Sequence, residues 1–261
     1  MRHPEHDRLI HVVPGWYHHS SPEMGYYTER RKFGFYCRNL KAQASVKGQV
    51  SVKNISPSEI QKFLTDLRQY FGNRPVQIWI DDRETDAQVC DAFVASGCTR
   101  HGPISYLAQV GPTPEISPVP GLKVESVTLA NLAAYAKTKL MGFTNSESEP
   151  SRDKLEEEMA LRRAEMDGLA QFRLARVGNK AAGIIGWYDI DSDRLIFQVT
   201  TRIPFRHRGI AKHLVSYVLT DAYEQGIRAV IINADQTDMP IEIYRWLGFI
   251  DEVFWRQGYK F

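Results

Sequence analysis

Cysteine is scarce in this chain. Its 261 residues hold only Cys37, Cys90 and Cys98, all within the first hundred positions. An odd number without paired spacing offers no disulfide framework, so free thiols in a reducing compartment are expected. A net charge is nearly lacking: 33 Lys and Arg stand against 31 Asp and Glu, a formal +2, too little for a general nucleic-acid binder. Long apolar runs are missing as well. None approaches the ~20 residues that a membrane span needs, so no membrane partner is expected. The opening Met1-Arg-His-Pro-Glu-His-Asp-Arg8 lacks the hydrophobic segment of a secretory signal. A cytoplasmic location follows as the expectation. His3, His6, His11, His18 and His19 crowd the start, but no cysteine or paired acidic cluster accompanies them at ligand spacing, and no metal is expected.

The stretch Gly111-Pro-Thr-Pro-Glu-Ile-Ser-Pro-Val-Pro-Gly121 cannot continue a helix or join a central strand, and it reads as a semi-rigid spacer. It divides the chain into 1–110, a linker at 111–121, and 122–261. In the first part Ser58 to Tyr70 places Ile60, Phe63, Leu64 and Leu67 on one helical face. Val76–Ile80 is a strand, Ala87 to Ala95 a second helix stopped by Gly97, and Ile104–Val110 a closing strand. Residues 1–53 carry nine Lys and Arg against four Asp and Glu, interleaved with Trp16-Tyr17, Tyr26-Tyr27 and Phe33–Tyr36. Half-buried strands with a solvated basic edge account for that pattern. An RNA or carrier-protein surface is left open there without further support.

In the second part Leu122–Val127 is a strand, followed by a helix from about Leu129 to Met141 and a charged helix from Arg152 to Met166. In the charged helix Leu155, Met159 and the Arg162-Arg163 pair leave a narrow apolar stripe. Phe172–Val177 and Ala182–Tyr188 form a hairpin about Gly178-Asn-Lys180. Leu195–Thr201 is a further strand, and Ile210, Leu214 and Val218 give the next helix one apolar face, closed by Gly226. Between that strand and that helix lies Arg206-His207-Arg208-Gly209-Ile210-Ala211. A strand that turns through such a loop into a helix points backbone N–H groups outward at the helix's positive end, which suits a phosphate or pyrophosphate. Gly209 lets the backbone approach closely, Ala211 keeps the first turn slim, and Arg206 and Arg208 add positive charge.

The loop resembles the acyl-CoA pyrophosphate loop, Arg-x-x-Gly-x-Ala, of the GNAT acyltransferase superfamily. A second motif stands at the right distance: after the strand Ala229–Ala234 comes Tyr244-Arg-Trp-Leu-Gly-Phe249, similar to the family's Tyr-x-x-Leu-Gly-Phe ending. The resemblance implies an α/β (α+β) GNAT fold, a mixed central sheet flanked by helices, preceded by a smaller GNAT-like α/β domain that is not itself catalytic. The strand–helix–strand order of 1–110 repeats the tail of 122–261, which suggests the duplication. It implies an N-acyltransferase that moves acetyl from acetyl-CoA to the primary amine of a small molecule by direct attack on the thioester. Val199, Thr200 and Thr201 would occupy the bulged strand that meets the acyl carbonyl, and Arg206, His207, Arg208, Gly209, Ile210, Ala211 and Thr237 the cofactor arm. Thr237 stands where the family often has asparagine, and His207 where glycine is common. Tyr244 would be the general acid: a tyrosine hydroxyl, with an ordinary pKa of about 10, stays protonated at neutral pH and can protonate a leaving thiolate.

The base is not singled out. Asp235, past a strand end, and Asp189 are both candidates, and either also reads as a loop or capping residue. Asp238 reads as the N-cap of the Tyr244 helix. The 142–150 loop offers Glu147 and Glu149, with Asp153 beyond it, as partners for a cationic acceptor. A non-catalytic acyl-CoA-binding regulatory module, or a GNAT-fold transferase with a carrier-protein or aminoacyl-tRNA donor, is the alternative, and a homodimer is compatible with each.

Overall fold

A computed structural model of the chain describes residues 26–39, 48–52, 55–167, 170–236 and 240–261. The N-terminal histidines, Trp16-Tyr17, Thr237 and Asp238 lie outside these. Two compact units emerge: one comprises the chain to Tyr106 with Ala234–Ile241 and Glu252–Phe261, the other Leu107–Asn233 with Glu242–Asp251.

In chain order the elements begin with strands β1 (Tyr26–Arg31), β2 (Gly34–Asn39) and β3 (Gly48–Val52), helix α1 (Ile60–Phe71), β4 (Val76–Ile80), α2 (Arg83–Ala95) and β5 (Thr99–Gln109). There follow β6 (Leu122–Ser126), α3 (Leu132–Phe143), α4 (Arg152–Met166), β7 (Ala170–Val177), β8 (Lys180–Ile190) and β9 (Asp193–Thr201). The remainder is α5 (Ile210–Glu224), β10 (Ala229–Asp235), α6 (Pro240–Trp246) and β11 (Asp251–Lys260).

In the first unit the strand order runs β1-β2-β3-β4-β11-β5. The α1 face expected from its spacing is the buried one, with Ile60, Phe63, Leu64, Leu67 and Phe71 inside. Helix α2 begins earlier than expected because Asp82 caps it, its carboxylate accepting from the Thr85 N–H at 2.7 Å. Within the basic aromatic stretch, Tyr26–Asn39 forms the hairpin β1–β2. Arg31 lies over the rings of Tyr36 and Tyr70, and Arg38 over Tyr27 and Tyr70. Stacked guanidinium groups of this kind cover aromatic surface, and that of Arg31 also pairs with Asp66 at 2.9 Å and Glu29 at 3.2 Å. Cys37 and Cys98 are buried, Cys90 is partly exposed, and all three are free.

The last strand of the chain belongs to this unit, although the sequence grouped it with 122–251. β11 pairs antiparallel with β4, Gln257 opposite Ile80 through Lys260 opposite Gln77, and Val76 and Phe261 exchange both backbone hydrogen bonds. Tyr259 is fully buried in the first unit's core, stacked on Phe93 with centroids 4.7 Å apart, its hydroxyl donating to Asp86. β4 is flanked on its other side by parallel β3. Without β11 one edge of β4 would present unpaired N–H and C=O groups.

The second unit carries the strand order β10-β9-β8-β7-β6, antiparallel except for the parallel β9–β10 pair. Alternation along the strands sends Phe172 and Tyr188 to the face covered by α3 and α4, and Arg173, Trp187 and Arg194 to the face covered by α5. Arg194 has no exposed surface. It is held by a bidentate pair with Asp189, by Asp221, and by the Val218 carbonyl, beside the Trp187 ring.

Tyr259→Ala removes the aromatic that seats β11 and should cost about 3–5 kcal/mol of stability in chemical denaturation. A loss below about 1 kcal/mol would mean that β11 is not integral to that core.

Candidate active site

β9 carries the local irregularity around which the site is built. Against β8, Trp187 faces Ile196 and Gly186 faces Gln198, which leaves Phe197 as one extra residue. A bulge of this kind twists the strand and re-aims the residues beyond it. The parallel pairing with β10 runs from Asp193 opposite Ala229 to Ile196 opposite Ile232 and stops there. Beyond the bulge β9 continues beside β8 alone. The Arg202 N–H donates to the Ala182 carbonyl at 2.9 Å, which fixes the alternation: Thr200 turns its backbone groups toward β8, while Val199 and Thr201 turn theirs to the side from which β10 has departed. The bulge expected at Val199–Thr201 therefore sits two residues upstream, and those residues form the re-aimed segment.

After Thr201 the chain makes a short 3-10 turn at Ile203–Phe205 and passes through two left-handed residues, His207 at φ 59° and Gly209 at φ 79°, before α5 begins at Ile210. The left-handed conformation at 207 gives the physical reason why glycine suits that position, and histidine is among the residues that tolerate it better than most. No side chain caps α5, and its first internal bond is His213 N–H to Gly209 carbonyl at 2.9 Å. The N–H groups of Ile210, Ala211 and Lys212 thus have no intrahelical acceptor, at the positive end of a 15-residue helix. Ile210, Leu214 and Val218 are buried and seat the helix on the sheet. Gly183 allows the close approach: a Cβ there would lie 3.0 Å from the Thr200 carbonyl oxygen and 3.2 Å from Ile210.

The two loop arginines do different things. Arg206 is a brace: Nε donates to the Thr201 carbonyl at 3.0 Å, and one terminal nitrogen donates to the Gly142 carbonyl at 3.1 Å and to the Asn145 side chain. It ties the end of α3 to the end of β9, where Gly142 also abuts the Thr200 side chain. Arg208 is exposed, with its guanidinium over the Phe205 ring. Lys212, in the first turn of α5, sets its ammonium 3.6 Å from the centroid of the Trp246 ring. That contact joins the short helix α6, the carrier of Tyr244, to the α5 N-terminus. Tyr244 itself is buried, its ring edge-on to Phe249, and its carbonyl accepts from the Phe249 N–H.

The acidic candidates separate. Asp235 ends β10 with its side chain exposed and falls with the first unit. Asp189 is committed to the buried Arg194 by two hydrogen bonds. Glu147 pairs with Arg202 and Glu149 with Lys137, so each already has a cation. Asp153 stands in the first turn of α4. Among the described residues no group of three or more His, Cys, Asp or Glu side chains is placed to hold a metal, and no helix is long and apolar enough to cross a membrane.

Sequence reasoning missed the buried face of α4. The stripe expected from Leu155 and Met159 is only partly buried, and the inward residues are Glu158, Arg162 and Glu165. Arg162 pairs with both carboxylates, at 2.8 Å to Glu158, and Lys139 of α3 reaches Glu158 at 2.7 Å. Burial pushes the Glu165 carboxyl up to about 7 against the opposing pull of Arg162. The spacing i, i+4, i+7 of three charges was the available signal. Charged helical faces are usually solvated, so that spacing alone does not mark a buried face.

A strand pair that parts at a bulge, feeding a left-handed turn and an uncapped helix, is the framework of a GNAT-type α/β transferase domain. Residues 132–249 match the model of the Acetyltransferase (GNAT) family, and the chain carries a GNAT acetyltransferase domain there. Among curated proteins, none matches the chain. Solved structures share its fold. A GCN5-related N-acetyltransferase from Sphaerobacter thermophilus is 18% identical, over 87% of this chain and 76% of that one, with a TM-score of 0.63. One from Kribbella flavida is 16% identical over 95% of each chain, with a TM-score of 0.62. A tandem GNAT protein from the clavulanic acid biosynthesis pathway is 10% identical, over 88% of this chain and 78% of that one, with a TM-score of 0.58. At these identities the likeness is one of fold.

The geometry sets two expected outcomes. His207→Gly should be neutral or stabilising, whereas Gly209→Ala should cost about 1–2 kcal/mol through its left-handed φ alone, since a Cβ there meets nothing closer than 3.6 Å. Equal effects in thermal melts would contradict the assigned backbone. For Glu165 the folded carboxyl binds its proton more tightly than the unfolded value of 4.5. Its contribution is fully present below that value and is lost as pH rises through about 7. Relative to Glu165→Gln, wild-type stability should therefore decline across this window. Parallel stability–pH curves for the two proteins would remove the buried titration.

Proposed function

We propose that the domain is an N-acetyltransferase that takes acetyl-CoA as donor and the primary amine of a small molecule as acceptor. The observation that carries this reading is the continuity from bulge to helix: Val199 and Thr201 direct backbone groups to the vacated side of β9, and the same chain runs at once into the uncapped N-terminus of α5. The first suits the thioester carbonyl and the oxyanion that develops from it, and the second suits a pyrophosphate. Thr200, His207, Arg208, Gly209, Ile210 and Ala211 complete that arm, and Thr237 is proposed to extend it.

In the reaction a neutral amine nitrogen attacks the thioester carbon. The N–C bond forms and the C–S bond breaks. The thiolate takes the hydroxyl proton of Tyr244, and the ammonium proton passes to a base, for which Asp235 at the end of β10 is the candidate. Arg206 serves by bracing the turn rather than by lending charge. Its fork spans two backbone carbonyls and an amide oxygen, a geometry that lysine cannot reproduce.

Calorimetric titration with acetyl-CoA, CoA and desulfo-CoA is the test, followed by thiol release with a panel of amines. Dissociation constants in the range of about 1–100 μM are expected. Arg206→Lys should weaken them about as much as Arg206→Ala, roughly tenfold or more; full rescue by lysine would assign Arg206 a purely electrostatic role. Tyr244→Phe should retain binding and lose about 10²-fold or more in turnover. Binding without turnover for any amine, with Tyr244→Phe indistinguishable from wild type, would favour a non-catalytic acyl-CoA-binding module.

A further inference from the structure

Successive side chains of a strand point to opposite faces. At the β9 bulge that rule is broken once. The Phe197 ring lies on the face covered by α3 and α4, stacked on Tyr188 with centroids 4.3 Å apart and edge-on to Phe172 at 5.9 Å. Gln198, the next residue, goes to the same face, where its side-chain carbonyl accepts from the Tyr135 hydroxyl of α3 at 3.0 Å. Alternation then resumes. Thr200 is again on the α3 side, so close that a Cβ at Gly142 would stand 2.6 Å from its side chain. On the other face a Cβ at Gly183, opposite Thr201, would meet Ile210 and Leu214 of α5. Tyr135 and Gly142 are both on α3, at the i, i+7 spacing that shares one helix face. One side of α3 therefore engages the strand at two points beyond the extra residue.

The hydroxyl–amide pair is the directional contact in an otherwise aromatic layer. Tyr135 is fully buried, Gln198 is buried, and the Tyr135 ring meets Phe172 with centroids 5.0 Å apart. Burial holds the Tyr135 hydroxyl well above its ordinary value, so it keeps its proton and donates at neutral pH. Ring contacts tolerate sliding, whereas a buried donor and acceptor accept few other arrangements. Without the extra residue, strict alternation would turn Gln198 to the α5 face and flip Val199, Thr200 and Thr201 as well. The Tyr135 hydroxyl would then be buried with its acceptor gone, which disfavours that register.

We infer that Tyr135 is a positioning residue of the acyl site: by donating to Gln198 it holds β9 in the bulged register that turns the Val199 backbone toward an acyl carbonyl. This inference rests on the acyl-CoA reading above. Tyr135 acts through Gln198 and not on the substrate itself.

Substitutions in the pair separate aim from stability. Tyr135→Phe leaves the Gln198 amide buried without its donor, and Gln198→Met leaves the Tyr135 hydroxyl without its acceptor, so each single variant loses stability. Combining them replaces both partners by apolar groups of similar shape, which is close to neutral. For wild type and the three variants the readouts are the thermal midpoint and the dissociation constants of acetyl-CoA and desulfo-CoA by calorimetry. Desulfo-CoA lacks the thioester and reports the pyrophosphate arm alone. Each single variant should lower the preference for acetyl-CoA about threefold or more, with desulfo-CoA held within about twofold. The double variant should regain stability yet keep the reduced preference, no worse than either single. An unchanged preference in the single variants overturns the positioning role. So does a preference that returns with stability in the double variant, which would make the pair a packing element only. Failure of the double variant to fold overturns it on the same ground. Each of these leaves the acyl-CoA reading intact, whereas failure of wild type to bind either ligand removes that reading and this inference together.

Discussion

A strand cannot leave its parallel neighbour in the middle of a sheet unless something else accounts for its backbone groups. In the second unit the departure of β9 from β10 after Ile196 is that event, and Phe197 is its cause. One extra residue shifts the strand's aim. Val199 and Thr201 turn their backbone groups away from β8 while Thr200 keeps its place beside it. The next turn depends on that aim. Arg206 can brace the ends of β9 and α3 only because the Thr201 carbonyl points outward to accept from it. The left-handed residues His207 and Gly209 then deliver α5 with its first N–H groups bare. The carbonyl and anion sites proposed above are consecutive stretches of one chain, and their spacing is set by covalent geometry rather than by docking of separate parts.

The bulge needs support that an apolar layer alone would not specify. Below it lie Phe172, Phe197, Tyr188 and Tyr135, and beneath these the charges of Lys139, Glu158, Arg162 and Glu165. Four charges taken from water are costly, and such groups offset that cost only by pairing with one another. Removing one partner of a buried pair typically costs about 3–5 kcal/mol, so the set acts as a unit with few acceptable rearrangements. The helix carrying three of them has almost no hydrophobic face of its own. Its place on the sheet is fixed by directional contacts, which resist sliding in a way that interchangeable methyl groups do not.

Much of the architecture was legible in the residues alone. The amphipathic spacing of Ile60, Phe63, Leu64 and Leu67, and of Ile210, Leu214 and Val218, placed α1 and α5 on the correct faces, because an apolar stripe at helical period has one way to be buried. The short β-branched runs at Val76–Ile80 and Ala229–Ala234 are strands as expected. The loop from Arg206 to Ala211 was readable because its requirements are local: a glycine for a left-handed φ, small residues at a helix start, and a strand before it. The inward face of α4 was not, since Glu158 and Arg162 look like any solvated pair until Lys139 reaches Glu158 and the Phe172 ring meets Arg162 from other parts of the chain.

The sequence by itself therefore determined the order of the elements, the turn chemistry before α5 and the family motifs, because each depends on residues a few positions apart. Tertiary structure alone decided three things. It assigned β11 to the first unit, where Tyr259 meets Phe93 and Asp86. It turned Arg206 from a free charge into a brace. It placed the bulge at Phe197, two residues before the segment expected to carry it. Each is a matter of register or partner choice between segments far apart in the chain, settled by which backbone groups find acceptors and which charges find counter-ions once each unit closes.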